Sequence, residues 1–158
     1  MKRVFSSVFV GIVAFTLGKI LGKICLANKL SLLDEKYTKN QCIINTFDLW
    51  LQQKQDNHQI QDFFLRNGFR EIAIYGMHYL GEHLLRDLRE TEITVKYAID
   101  KNADKIACGV KVIPPDAELE KVDAIIVTAI YYFDDIEKQL ASKIDCPIIS
   151  LDDVLGNL

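Results

Sequence analysis

Between Glu71 and Leu151 the chain repeats one pattern: a short apolar run, a turn, then residues at helical spacing. The runs are 71–75, 93–99, 109–113, 123–128 and 147–151. Helical spacing follows the first run in Tyr79, Leu80, Leu84, Leu85 and Leu88, and the fourth in Ile136, Leu140 and Ile144 of a helix expected over 133–144. Pro114-Pro115 stops the third run, and a short helical piece is expected over 116–121, with a last turn at 152–155. Strands alternating with helices require a parallel sheet, because parallel neighbours need a crossover between them. Ala124-Ile125-Ile126-Val127 is apolar without alternation, as suits a strand covered on both faces. Right-handed crossovers then predict five strands in the order 3-2-1-4-5, with a switch point between the first and the fourth. Ligands of such sheets bind at the carboxyl ends of the strands, at that point.

The turn at the switch point is Gly76-Met77-His78-Tyr79-Leu80-Gly81. It lies between a strand and a helix, the context a dinucleotide-binding G-x-G-x-x-G needs. Gly76 and Gly81 match the first and third glycines, and His78 replaces the second, which normally lets backbone approach a pyrophosphate. A diphosphate could still rest on the helix N-terminus, with His78 as a hydrogen-bond donor. The other reading of the glycines is tight strand-to-helix packing without a ligand. Asp100 ends the second strand at roughly the ~20-residue separation at which an acid accepts ribose hydroxyls. It equally suits a turn before Lys101-Asn102. Thr128 to Tyr131 follow the fourth strand and face the Gly76 turn across the switch point, either lining a crevice or covering the sheet end. The candidate ligand-binding residues are therefore Gly76, Met77, His78, Tyr79, Gly81, Asp100, Thr128 and Tyr131.

The first thirty residues have a different character. From Val4 to Leu17 every residue is apolar or small except Ser6, Ser7 and Thr16, with Lys2 and Arg3 before and Lys19 and Lys23 after. Continued to Leu26 as a helix, the segment reaches the ~20 residues that span a bilayer, and the flanking lysines can snorkel to headgroups. A membrane anchor over 1–29 is the leading expectation. A signal peptide, although no small-x-small cleavage pattern lies near Ala27, and a helix on a membrane surface or a partner are the alternatives. Gly18 and Gly22 form a small-x-x-x-small pair for close helix packing. Lysines at 19, 23, 29, 36 and 39 outnumber the charges before the apolar run, so the positive-inside rule puts the C-terminal domain on the cytoplasmic side.

Residues 30–68 connect the two parts. The polar stretch 30–40 reads as a linker or the fraying end of the first helix. Ile43, Phe47, Trp50 and Leu51 recur at helical steps, as do Ile60, Phe63 and Phe64 within 59–66, where Asn67-Gly68 supplies a stop. Trp50 suits helix packing or a partner contact.

Composition excludes several functions. The net charge of −3 and the scattered Lys and Arg offer no basic field for nucleic acid. Cys25, Cys42, Cys108 and Cys146 are too dispersed for a zinc knuckle or a redox pair and read as free thiols, and His58, His78 and His83 have no metal-ligand grouping. Tyr75, Tyr79, Tyr131 and Tyr132 have no Lys four residues on, and no G-x-S-x-G elbow or P-loop is present.

Gly76-Met-His-Tyr-Leu-Gly81, Tyr97-Ala-Ile-Asp-Lys-Asn102, the 123–130 segment and Cys146-Pro-Ile-Ile-Ser-Leu-Asp152 together resemble the Rossmann-like domains of bacterial surface-polysaccharide synthesis. These include the N-terminal domain of sugar-nucleotide acyltransferases and the C-terminal domain of sugar C-methyltransferases. The whole chain is similar in character to small membrane-anchored proteins of Gram-positive bacteria associated with capsule synthesis. The resemblance implies binding of a nucleotide sugar or NAD(P) without a separate catalytic domain. The expectation is a membrane-tethered accessory or regulatory protein working with polysaccharide-synthesis enzymes or as a homodimer. The alternatives are an enzyme completed by oligomerisation, with His78 or Tyr131 as acid or base, and a structural interaction protein with an empty fold.

Overall fold

The computed structural model describes the backbone of residues 2–158 and the side chains of Lys19 and of 21–158. It divides into two compact units, Met1–Gln41 and Cys42–Leu158. The side chains of the apolar run from Val4 to Leu17, on which the expected membrane anchor rests, lie outside the described residues, as does Gly18. Among the described residues no helix is long and apolar enough to cross a membrane.

Helix α1 spans Lys2–Gln55. It continues through 30–40, where the polar composition suggests a linker. The reason is local: Asp34, Glu35, Lys36 and Lys39 are polar but helix-tolerant, and no Gly or Pro occurs between Gly22 and Gly68. In the first unit Thr38 Oγ1 donates to the Asp34 carbonyl at 3.0 Å, and Leu26, Leu30, Leu33 and Tyr37 are all more than half exposed.

In the second unit, α1 ends on a left-handed residue, Asn57 at φ 62°. Asn57 N–H bonds to the Lys54 carbonyl and His58 N–H to that of Gln53, closing the end in a Schellman motif. Helix α2 (Ile60–Arg66) stops the same way. Gly68 adopts φ 74°, its N–H reaches Leu65, and Phe69 N–H reaches Phe64. The turn then delivers the chain into β1 (Glu71–Tyr75).

The remaining elements are α3 (Tyr79–Asp87), β2 (Thr94–Ile99), β3 (Val112–Ile113), β4 (Ala124–Val127), α4 (Phe133–Ala141), β5 (Ile148–Ser150) and α5 (Leu151–Gly156). The five strands form one parallel sheet in the order β3-β2-β1-β4-β5, as the crossover argument predicts. Ile74 sits between Ala98 and Ile126 in register, and an irregularity between Ile72 and Ala73 shifts the β1–β2 pairing past Lys96. The third strand is shorter than expected, and 116–121 leaves a turn and runs irregularly rather than as a helix. Ala117 N–H bonds to the Pro114 carbonyl, and Glu120 and Lys121 then give their carbonyls to the side chains of Tyr97 and Lys96 of β2.

Strand alternation sorts the core into two faces. Ile72, Ile74, Ala98, Ala124 and Ile126 pack with Trp50 of α1, Phe64 of α2, Leu84 of α3 and Leu155 of α5. Ala73, Tyr75, Tyr97, Ile99, Ile125 and Val127 pack with Ile136 and Leu140 of α4 and with Val122. Both faces are covered, which is why β4 carries no polar residue.

Candidate functional site

The Gly76 turn stands at the carboxyl end of β1, between β2 and β4, where the strand order reverses. Gly76 adopts φ +97°, a conformation that side chains rarely tolerate. Its N–H bonds to the Ile99 carbonyl at 2.8 Å. A β-carbon there would also meet the Thr128 hydroxyl at 2.9 Å. Thr128 is buried, and its N–H donates to the Tyr75 carbonyl at 2.9 Å. Its hydroxyl lies 3.1 Å from the same carbonyl and closer to that of Gly76. With one proton to give, it caps the Gly76 carbonyl. Thr128 is thus a clasp between β1 and β4, not a side chain lining open space.

Asp100 completes the clasp from β2. Its Oδ2 accepts the Met77 N–H and its Oδ1 the Asn102 N–H, both at 2.8 Å. The turn reading of this residue is therefore realised. A carboxylate keeps further lone pairs on each oxygen, so a ribose hydroxyl can still be accepted. The Asp100 charge, after burial, is also a cause of the upward push on the Tyr75 phenol. The Met77 side chain is buried in the core, while its N–H is held by Asp100.

Helix α3 begins immediately beyond. Its N-cap, His78, makes no side-chain capping bond. The N–H groups of Tyr79, Leu80 and Gly81 lie in the first turn, where an α-helix has no intrahelical acceptors. His78 is exposed with its ring 3.9 Å from that of Tyr79, and Tyr79 is 60% exposed. After β4, Tyr131 and Tyr132 form an edge-to-face pair with ring centroids 5.0 Å apart. Exposed aromatics beside a helix N-terminus are suited to stacking on a planar ring while the amides hold an anion.

The electrostatics of this edge distinguish α3 from its neighbours. Helices α4 and α5 each carry two aspartates in the first turn, Asp134 and Asp135, and Asp152 and Asp153. Those acids already compensate their own dipoles and repel a phosphate. The first-turn acid of α3, Glu82, lies 3.5 Å from Arg86.

A cavity of about 320 Å³ that no sequence motif marks is lined by Cys42, Asn45, Thr46, Leu49, Ile130 and Asp152. It lies at the carboxyl ends of β4 and β5, and its wall comes from the last turns of α1. The signal available in sequence is the polar pair Asn45-Thr46 within an otherwise apolar helix face. A larger one, about 520 Å³, runs beside α3 with Arg86, Arg89 and Lys105 on its walls. The Gly76–Gly81 turn and Asp100 line neither. No group of His, Cys, Asp or Glu able to hold a metal occurs among the described residues.

Comparison with protein-family models, curated proteins and solved structures found no match to this chain.

Proposed function

We propose that the second unit binds a nucleotide, either a nucleotide sugar or NAD(P), at the Gly76 turn. The protein then serves as an accessory or regulatory component of cell-envelope polysaccharide synthesis. The observation that carries the ligand is the uncapped N-terminus of α3 at the switch point of the sheet, flanked by exposed His78 and Tyr79. The diphosphate would lie against the first-turn amides, the ribose near Asp100, and a ring against Tyr79 or Tyr131. The role in polysaccharide synthesis rests on the sequence resemblance. Tethering by residues 1–29, with the sheet domain on the cytoplasmic side, rests on the apolar run and the lysines that follow it.

The test is thermal unfolding of the full chain in mild detergent with UDP-sugars, NAD⁺ and NADP⁺. A ligand at a hundred times its Kd adds about 2.7 kcal/mol, several degrees in melting temperature. Tyr79→Ala and His78→Ala remove exposed groups and should weaken the shift without moving the ligand-free melting point. Absence of any shift at millimolar nucleotide would reject this reading.

A second reading is favoured by one observation: Gly76, Asp100 and Thr128 are all engaged with neighbouring backbone. A closed turn of this kind suits a ligand-free fold that acts as a structural interaction module. Turnover of a nucleotide sugar by the purified chain would instead select an enzyme completed by oligomerisation.

A further inference from the structure

The part of α1 within the first unit carries an unpartnered apolar stripe of a particular spacing. Leu26, Leu30, Leu33 and Tyr37 follow one another at steps of four, three and four, and are 59%, 58%, 53% and 64% exposed. Those steps keep side chains on one face of a helix at the 3.5-residue repeat of a coiled coil. Placing leucine at the d positions 26 and 33 puts Leu30 and Tyr37 at a, and Asn40 at the next d. The same spacing continues in sequence to Ile44. Ser31, Glu35 and Thr38 fall on the opposite side, and Leu32, 59% exposed, lies off the stripe at c. An exposed helix of this kind gains most of its stability from packing its apolar face, so the stripe requires a cover. The bilayer core does not serve, because Lys29, Asp34, Glu35, Lys36 and Lys39 lie within the same turns; a cover of lipid headgroups would leave the chain monomeric.

We infer that the cover is a second copy of this chain, joined as a parallel two-stranded coiled coil over about residues 26–41. The flanking charges make the stripe self-complementary in one orientation. In a parallel pair each g residue faces the e residue five positions on in the other helix. Lys29 is at g and Asp34 at e, so each copy's Lys29 meets the other's Asp34. Lys36 at g meets Gln41 at e, which is neutral. An antiparallel pair would instead bring g against g and set Lys29 and Lys36 against lysines. In the unshifted register Asn40 at d lies opposite its own copy, where the two side-chain amides can pair. Two N-terminal segments would then leave the pair on the same side, as insertion into one bilayer requires. This inference does not depend on the nucleotide site.

The experiment is sedimentation velocity of the full chain in nonionic detergent at low ionic strength, where surface ion pairs are least screened. The wild type should be a dimer at micromolar concentration. Lys29→Glu and Asp34→Lys should each raise the dissociation constant about tenfold, since two symmetric pairs become repulsive. The double variant Lys29→Glu/Asp34→Lys should restore wild-type affinity, with circular dichroism reporting that all variants keep the same fold. Leu30→Asn should give monomer. A wild type that remains monomeric at 100-fold higher protein concentration overturns the proposal. So does a dimer indifferent to both single reversals, which would place the contact elsewhere, or a double variant as weak as the singles.

Discussion

A β-carbon on Gly81 would stand 2.0 Å from the carbonyl oxygen of Gly76. The obstacle is backbone held in place by Thr128, so neither side can yield. Gly81 therefore exists to let α3 press against the end of β1. Gly81→Ala should force the helix off the strand and cost about 2–3 kcal/mol, the upper range for overpacking. Urea unfolding of the full chain measures it. The same contact means that loss of ligand binding in any Gly81 variant reports distortion of the turn rather than a lost ligand contact.

Trp50 Nε1 donates to Asp87 Oδ2 at 3.1 Å, and Lys54 Nζ lies 2.8 Å from the same oxygen. The three residues tie the end of α1 to the end of α3. Their substitutions should differ in size. Asp87→Ala leaves a buried indole N–H without its acceptor and should cost about 1–2 kcal/mol. Lys54→Ala removes a partly exposed ion pair whose Asp87 oxygen keeps its bond to Trp50, and should cost less than about 1 kcal/mol. Trp50→Ala empties a buried site beside Phe47 and His83 and should cost about 3–5 kcal/mol. Equal costs for Asp87→Ala and Lys54→Ala, measured by denaturant unfolding, would contradict this division.

Much of the architecture is legible in the residues themselves. The unbroken apolar run at 124–127 announces a strand buried on both faces, and handed crossovers then leave few alternatives to the observed order. Asn67-Gly68 announces the end of α2 because only a left-handed residue closes that motif. Other features depend on partners distant in sequence. Nothing local to Thr128 says that its hydroxyl will hold the Gly76 carbonyl. Asp100 suits ribose binding and turn formation equally by position, and only its bond to Met77 N–H shows the turn role being filled. Met77 sits in a loop motif, yet its side chain enters the core because α1 covers that side of the sheet. The 116–121 stretch has helix-forming composition, but the Glu120 and Lys121 carbonyls are taken up by Tyr97 and Lys96 of β2.

Tyr97 is fully buried, and its hydroxyl donates to the Glu120 carbonyl at 2.7 Å. Burial, with smaller contributions from Cys146 and Glu120, pushes its pKa up from 10.0 to about 12. The folded state thus holds the neutral phenol. A raised folded pKa gives stability that is complete below pH 10 and is lost as pH rises toward about 12. Tyr97→Phe should cost about 1 kcal/mol at neutral pH through the lost hydrogen bond. That deficit should shrink, and then reverse, between pH 10 and about 12, where only the wild type must keep a phenol protonated. Parallel stability curves for the two proteins across this range would show that the phenol is not desolvated as described.

Asp123 acts in the opposite direction at the other end of the sheet. Its Oδ2 accepts the N–H groups of Arg70 and Glu71, both at 2.8 Å, and so fixes the entry to β1 against the start of β4. Those two bonds, that to Glu71 first, hold its carboxyl below the usual 3.8, with Lys121 and Lys96 contributing less. A depressed folded pKa gives stability that is present above the unfolded value and lost as pH falls through the folded one. The carboxylate is exposed, so the contribution is modest: Asp123→Ala should cost about 1 kcal/mol at neutral pH, after allowance for solvent. The difference between wild type and variant should stay constant from pH 8 to pH 5 and close as pH drops below 3.8, because the protonated acid binds the two amides weakly. Chemical denaturation of both proteins at each pH measures the difference directly, and a gap that persists undiminished at pH 3 would show that the charge of Asp123 is not what anchors β1.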